Sequence, residues 1–448
     1  MPERLVVVGG IAGGMTAATW ARRQSSTIEI IVIEQDTNIS YSQCGMPYVF
    51  SQQVGSLDEL IRYQPEQLQA ARDIEILTGC RAESLNVSSQ SLEAHNLRNN
   101  TSRKLYFDYL VLATGARPIL PDLPGKDLPG VFTLRHMPEA RALDSYLKSA
   151  APRRALIVGA GYLGLEMAEA LCSRGLKVTI IEESGQVLKS FPGKLQERIL
   201  EELRAHQVEL LFGQTVTGVE GRTQVERVHT TAGSFDSDLL LFSIGVAPQV
   251  ALAQAAGIRL GASGAIAVKE TQQTNLPNIY AAGDCCEVHN LVSDQPAYIP
   301  LGTTANKQGR VAGINVAGGR AQFKGVVGTM VVKVFNLEAA HTGLSEAAAQ
   351  AAGFLPHTLI SESISRAGYY PGAQRINTEI IYDQRTGRLL GAHMVGGEGV
   401  AKRIDVFATA LYARLRIEDL LQLDLSYAPP FAPVWDPIIY AVRKAEKP

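Results

Sequence analysis

The sequence predicts an α/β protein: two dinucleotide-binding, Rossmann-like domains followed by a C-terminal α+β dimerisation domain. Three observations predict it. An apolar strand, a glycine turn and an alanine-rich helix occur twice in the chain. Each copy is followed by a second strand that closes on a glutamate. From about Phe323 the pattern changes to strands joined by turns, with no phosphate loop.

The first copy is LVVVGGIAGGMTAATWARR, Leu5–Arg23, followed by the strand IEIIVIEQD with Glu34 near its end. The second is ALIVGAGYLGLEMAEALCSRG, Ala155–Gly175, followed by KVTIIEE with Glu182. Each acid stands some 23–25 residues beyond its first glycine, the spacing at which a carboxylate meets a nucleotide's ribose. Gly9 and Gly159 permit the tight turn, and Gly14 and Gly164 permit close packing of the helix. Gly161 lets the backbone approach a pyrophosphate; in the first copy Ile11 stands in that place. The free N–H groups at each helix start then face phosphate. Each unit ends in a similar strand, YLVLATGARP (Tyr109–Pro118) with Gly115 and LLLFSIGVAP (Leu239–Pro248) with Gly245. The expected domains are 1–118 with 249–322 for a discontinuous first nucleotide unit, 119–248 for the second, and 323–448 for the interface domain. In the last, DQRTGR (Asp383–Arg388) marks a hairpin, and helices are expected near Glu346–Ala352 and Lys402–Leu415.

Composition bounds the partners. At 448 residues the chain suits roughly three domains. It is 46% hydrophobic and 19% charged with 41 glycines, as in a soluble α/β protein. A formal net charge of −2 offers no field to attract nucleic acid or an anionic membrane. No uninterrupted apolar run reaches the ~18 residues of a membrane span. MPERLVVVGG enters a strand without the pattern of a secretory leader, so a cytoplasmic location is the expectation. The five cysteines, Cys44, Cys80, Cys172, Cys285 and Cys286, are odd in number and form no CxxC pair. That argues against a disulfide framework and a structural zinc site, and no metal is expected. Cys80 and Cys172 sit in apolar strand and helix contexts and read as core.

Cys44 has a different setting. It stands in YSQCGMPYVF (Tyr41–Phe50), in a loop restrained by Pro47, just after the second strand of the first unit. Taken with the two dinucleotide folds, the ATG strand end and YAAGDCCEV (Tyr280–Val288), it resembles the FAD-dependent pyridine nucleotide–disulfide oxidoreductases over essentially the whole chain. The resemblance implies FAD on the first unit and NAD(P)H on the second. It implies that Asp284 bonds the ribityl chain. The segment LGTTANKQGRVAGINVAGG (Leu301–Gly319), with Thr304, is similar to a helix whose N-terminus faces the flavin pyrimidine, where reduced flavin gathers negative charge.

Two-cysteine members of that family carry sulfurs separated by four residues, and Cys44 has no such partner. The chain therefore resembles the single-cysteine branch, and within it the coenzyme A disulfide reductases. Ala12 occupies the place where peroxidases and many oxidases hold a histidine. SRAGYYPGAQR (Ser365–Arg375) and SYAPPFAPVWDP (Ser426–Pro437) resemble that branch's tyrosine motifs. They imply that Tyr369, rather than its neighbour Tyr370, and Tyr427 reach into a partner subunit's site. MVGGEGVAKRIDVF (Met394–Phe407) resembles the family's dimer contact, and a homodimer is the expectation.

A thiol attacks a disulfide as thiolate, and one protein sulfur suffices if the second belongs to the substrate. The expected resting state is a Cys44–coenzyme A mixed disulfide, reduced by hydride passed from NADH through FAD. The freed thiolate then attacks CoA disulfide, releasing one CoA thiol and restoring the mixed disulfide. Tyr369 and Tyr427 are the expected proton donors. The phosphates of CoA call for cations, so Arg22 and Arg62 are candidate ligands, with Ser40 and Gln43 as neutral partners. By the resemblance, Tyr162 covers the flavin until nicotinamide displaces it, and Glu166 lies near the carboxamide without an evident lysine partner. Glu182, with Glu183 beside it, would repel a 2′-phosphate, so NADH is expected over NADPH. The alternatives on the same residues are a CoA-persulfide or polysulfide reductase and an NADH oxidase with a Cys44 sulfenic acid. The non-enzymatic alternative is an FAD-binding redox sensor.

Overall fold

Apolar β-branched runs become parallel sheets buried on both faces. In the computed structural model, which describes residues 2–446, the first sheet runs Ile279–Ala281, Tyr109–Leu112, Arg4–Val8, Glu29–Glu34, Glu75–Thr78, all parallel. The second runs Val131–Phe132, Leu239–Phe242, Arg154–Val158, Lys177–Glu182, Glu209–Phe212, again all parallel. In each, the central strand carries the phosphate loop. The glutamate-ending strand lies on one side of it and the glycine-ending strand on the other. This reversal of connection opens a crevice at the carboxyl ends of the strands. Ile279–Ala281 returns to the first sheet only after the whole second unit, which makes the first unit discontinuous in sequence. Where the chain leaves and re-enters it, Ala116–Pro118 pairs antiparallel with Val246–Pro248.

The two copies repeat each other in detail. Gly9 and Gly159 take positive φ of 112° and 105°. A Cβ there would stand 2.1 Å from the Ala113 carbonyl oxygen and 2.4 Å from that of Ser243. A Cβ at Gly14 or Gly164 would meet the oxygen of Gly9 at 1.8 Å or of Gly159 at 2.0 Å. Only glycine lets each helix settle on its own loop. The helices Ala12–Gln24 and Tyr162–Ser173 both begin without a side-chain cap or an acid in the first turn, which leaves their leading N–H groups for a ligand.

The third sheet runs Met330–Val334, Leu337–Gly343, Leu389–Gly396, Arg375–Asp383, Pro356–Ile364, antiparallel throughout. Asp383–Arg388 forms its hairpin connection, and the helices Glu346–Ala351 and Val400–Tyr412 stand where the pattern put them. The sheet faces the second nucleotide unit: Val332, Val334, Leu337 and Val395 share one apolar cluster with Leu165, Ala168 and Ile199. Met46 and Phe50, just after Cys44, belong to the same cluster. Burying a side chain like Phe50 stabilises by about 1.5–3 kcal/mol, so the segment carrying Cys44 is clamped against the second unit. All five cysteines are free. Among the described residues no helix is long and apolar enough to cross a membrane.

Candidate active site

The glutamates that end the two second strands are held alike. Glu34 accepts from Gly10 N at 2.6 Å and from Asp36 N at 2.8 Å. Glu182 accepts from Ala160 N at 2.8 Å and from Ser184 N at 2.9 Å. Each carboxylate thus ties its phosphate loop to the turn behind it. Burial raises the pKa of Glu34 despite these N–H donors.

Both crevices open into one cavity of 1520 Å³, beyond the ~300–1000 Å³ of an ordinary single-ligand pocket. Gly9, Glu34, Gly115 and Asp284 line it from the first unit, and Gly159, Gly161, Tyr162, Glu166, Glu182 and Gly245 from the second. Gly14 and Gly164 lie beneath the loops as packing positions. At Gly161 an added Cβ would meet no protein atom within 4 Å, so the room there belongs to the cavity. Ile11 lines the cavity and packs against the cluster around Met46. Uncapped helix starts, an open approach at Gly161 and a fixed carboxylate in each crevice fit a dinucleotide at both, FAD on the first unit included. Among the described residues no group of three or more His, Cys, Asp or Glu is placed to hold a metal.

Cys44 sits in the 3-10 turn Gln43–Gly45, which runs straight into the helix Met46–Phe50 with Pro47 in its first turn. Met46, Val49 and Phe50 enter the core, while Cys44 is exposed and lines the cavity. Gln43 Nε2 donates to Arg135 O at 3.1 Å and pins the turn. Although open to the cavity, the thiol has protein on most sides. Burial pushes its pKa up, Glu166 and Asp284 push it further, and Arg135 pulls it down. Arg135 is itself held by Asp284 at 2.5 Å and by Ala116 O at 2.9 Å.

Tyr48, four residues beyond Cys44, donates its hydroxyl to Glu166 at 3.1 Å. Burial raises the pKa of Glu166, and the tyrosine bond works against it. Lys333 pairs with Glu169, one helical turn on from Glu166. Among the described residues, Tyr48 is the side chain that hydrogen-bonds Glu166.

Several expected residues fall elsewhere. Thr304 does not reach the cavity: it is buried with Oγ1 unpartnered, and the adjacent Thr303 lines the cavity instead. Successive helical residues point ~100° apart, so a one-residue error turns the side chain inward. Arg22 is committed to the backbone, donating to Arg72 O at 3.0 Å, Asp73 O at 2.8 Å and Ser26 O at 2.9 Å. It is not free for a phosphate. Arg23 is exposed, with its guanidinium 4.9 Å from the Trp20 ring, and Arg310 covers the same ring at 4.9 Å. Ser40 and Arg62 lie off the cavity, joined to each other by Arg62 N donating to Ser40 O at 2.9 Å. Tyr369 and Tyr427 are 78% and 49% exposed, and neither lines the cavity of its own chain. Its hydrogen bond to Tyr427 raises the pKa of the Tyr369 phenol.

Sequence reasoning missed Arg135 and Tyr48. Arg135 lies 149 residues from Asp284, outside any motif, and carried no signal. Tyr48 stood inside the cysteine stretch, and its spacing of four from Cys44 was the signal available.

The pyridine nucleotide-disulphide oxidoreductase family model matches residues 3–309, and the dimerisation-domain model of the same family matches residues 329–437. A Pyrococcus furiosus protein named NAD(P)H sulfur oxidoreductase (CoA-dependent) is 38% identical over 443 residues, 98% of each chain. The coenzyme A disulfide reductase of Staphylococcus haemolyticus is 30% identical over 431 residues, 96% of each chain. The crystal structure of reduced Bacillus anthracis CoADR-RHD matches with a TM-score of 0.96 at 35% identity, covering 100% of this chain and 80% of that one.

Proposed function

The chain belongs to the pyridine nucleotide-disulphide oxidoreductase family, and from that premise we propose that it is an NADH-dependent flavoprotein that reduces coenzyme A disulfide through Cys44. The observation that carries this reading is one exposed thiol on a two-nucleotide cavity. Cys80, which also lines the cavity, is buried. FAD, held by Gly9, Glu34, Gly115, Asp284 and the helix start at Gly302, supplies the two-electron relay between NADH and sulfur.

The remaining steps are sulfur and proton chemistry. The Cys44 thiolate attacks one sulfur of CoA disulfide, forming Cys44–S–S–CoA as the substrate S–S bond breaks. The departing CoA thiolate takes a proton. Two electrons and one proton from NADH then cleave the mixed disulfide to the Cys44 thiolate and a second CoA thiol. One NADH and one further proton thus yield NAD⁺ and two CoA thiols. Arg135 opposes the carboxylates that disfavour the thiolate. Tyr48 and Glu166 hold a proton between phenol and carboxyl beside the sulfur. Tyr369 and Tyr427, delivered from a second copy of the chain, protonate the leaving thiolate.

Coenzyme A runs along the groove between the helices Ala12–Gln24 and Gly302–Val316. Ala12 and Asn306 line the cavity, Thr16 donates to Asn306 Oδ1 at 2.8 Å, and Trp20 lies between Arg23 and Arg310. From Ala12 to Arg23 the helix rises about 16 Å, over which an extended thiol arm carries its phosphates to the two arginines. In the second crevice Glu182 and Glu183 favour NADH.

A second reading, reduction of a CoA persulfide or polysulfide, is favoured by the higher identity to the sulfur oxidoreductase, 38% against 30% for the disulfide reductase. An anaerobic assay separates the readings. CoA disulfide reduction releases two thiols per NADH, and kcat/KM for NADPH is at least ~10-fold lower than for NADH. Consumption of persulfide but not disulfide would install the second reading. NADH loss only with oxygen present would install an oxidase.

A further inference from the structure

A cross-strand row lies on the face of the third sheet that the second nucleotide unit covers. Met330, His341, His393 and Glu379 are directly opposed on successive strands, so their side chains share one face. Met330 is in the cavity wall. Behind it the rings of His341 and His393 stack with centroids 5.6 Å apart. Glu379 Oε2 stands 2.8 Å from His393 Nδ1, with both side chains at most 5% exposed. The neighbouring same-face positions on the two middle strands, Ala339, Gly343, Val395 and Gly391, are apolar. A buried carboxylate–imidazole pair stabilises no better than apolar side chains of equal volume, so packing alone does not explain the row.

Two parts of the nicotinamide crevice rest on it. The ring of Tyr162 lies 6.3 Å from that of His341. Phe191 sets its ring against His341 at 5.8 Å and His393 at 5.3 Å, edge-on to both. Phe191 ends the segment 183–191, whose Glu183, Gln186 and Lys189 line the cavity.

We propose that the Glu379–His393–His341 row positions the NADH site, holding Tyr162 directly and the segment 183–191 through Phe191. The third domain, and not the second unit alone, then sets nicotinamide access. This rests on the reading of the second unit as the NADH site. Glu379 sets a carboxyl oxygen against the His393 ring without a hydrogen bond to Nδ1, and the His393 ring stacks on that of His341. Burial, with the His393 charge second, pushes the pKa of His341 down to about 3. It therefore presents a neutral flat ring to Tyr162. These are positioning residues, since none of the three lines the cavity.

The test uses the FAD-loaded enzyme and the variants His341→Ala, His341→Phe and Glu379→Gln. His341→Ala raises KM for NADH about tenfold with kcat and Cys44 alkylation unchanged, and trypsin cuts after Lys189 about tenfold faster. His341→Phe, which keeps a ring, restores both. A general loss of structure would instead lower kcat and alter alkylation. If His341→Ala does not fold, Glu379→Gln is read for the same two changes. Wild-type KM and wild-type tryptic rate in the folded variant overturn the proposal. If NADH does not reduce the wild-type enzyme at all, the functional reading falls, and the tryptic rates alone decide whether the row positions the segment.

Discussion

At the scale of single residues, the Cys44 thiolate is set by opposing charges. Burial disfavours it, Glu166 and Asp284 add to that, and Arg135 counters them. Only the thiolate is alkylated, so the reaction rate rises as pH passes the thiol's pKa. Glu166→Gln removes a negative charge and moves that rise to lower pH. Arg135→Met removes the opposing cation and moves it to higher pH. Iodoacetamide labelling across about pH 6–10 reads both shifts, and shifts of the same sign in the two variants would discard this arrangement of charges. The cysteine itself was legible, because a lone thiol between a nucleotide unit and a proline-restrained helix is an unusual setting. Arg135 was not, because only the folded chain brings it to Asp284.

At the scale of elements, the phosphate loops were legible because sterics leave no other residue than glycine at their key points. The phase of side chains around the helices was not. Thr304 against Thr303, and Arg22 against Arg23, are neighbours that tertiary packing alone separates into buried and exposed. The second loop allows a contrast between two glycines three residues apart. Gly164→Ala drives a methyl to 2.0 Å from the Gly159 oxygen and should cost about 1–3 kcal/mol or more in urea unfolding. Gly161→Ala meets no protein atom and should leave stability within ~0.5 kcal/mol. Its methyl enters ligand space, so KM for NADH should rise about tenfold. A stable Gly164→Ala would contradict the close packing of the helix on its loop, and a Gly161→Ala with unchanged KM would place the nucleotide elsewhere.

At the scale of the whole molecule, duplication made the domain order legible, since the same strand–turn–helix plan recurs with its acid. The row of His341, His393 and Glu379 was illegible, because these residues meet only through the register of separate strands. The tyrosine motifs are what pointed, in the sequence, to a site shared between two chains. In one chain Tyr369, Tyr427, Phe431 and Trp435 all face water, and a dimerisation-domain model covers this region. If these tyrosines serve a partner's sulfur, Cys44→Ser and a Tyr369→Phe/Tyr427→Phe double variant fail in complementary ways. Unfolding and refolding the two together should then recover about a quarter of the wild-type rate, through mixed dimers with one intact site. No recovery would mean that each chain completes its own site.

The sharpest test is the mass of the intact chain, first reduced and freed of reductant, after exposure to coenzyme A disulfide. A single exchangeable thiol at Cys44 predicts the gain of one coenzyme A per chain, its loss on adding NADH, and no gain in Cys44→Ser. An unchanged mass, or an equal gain when Cys44 is replaced, would contradict it.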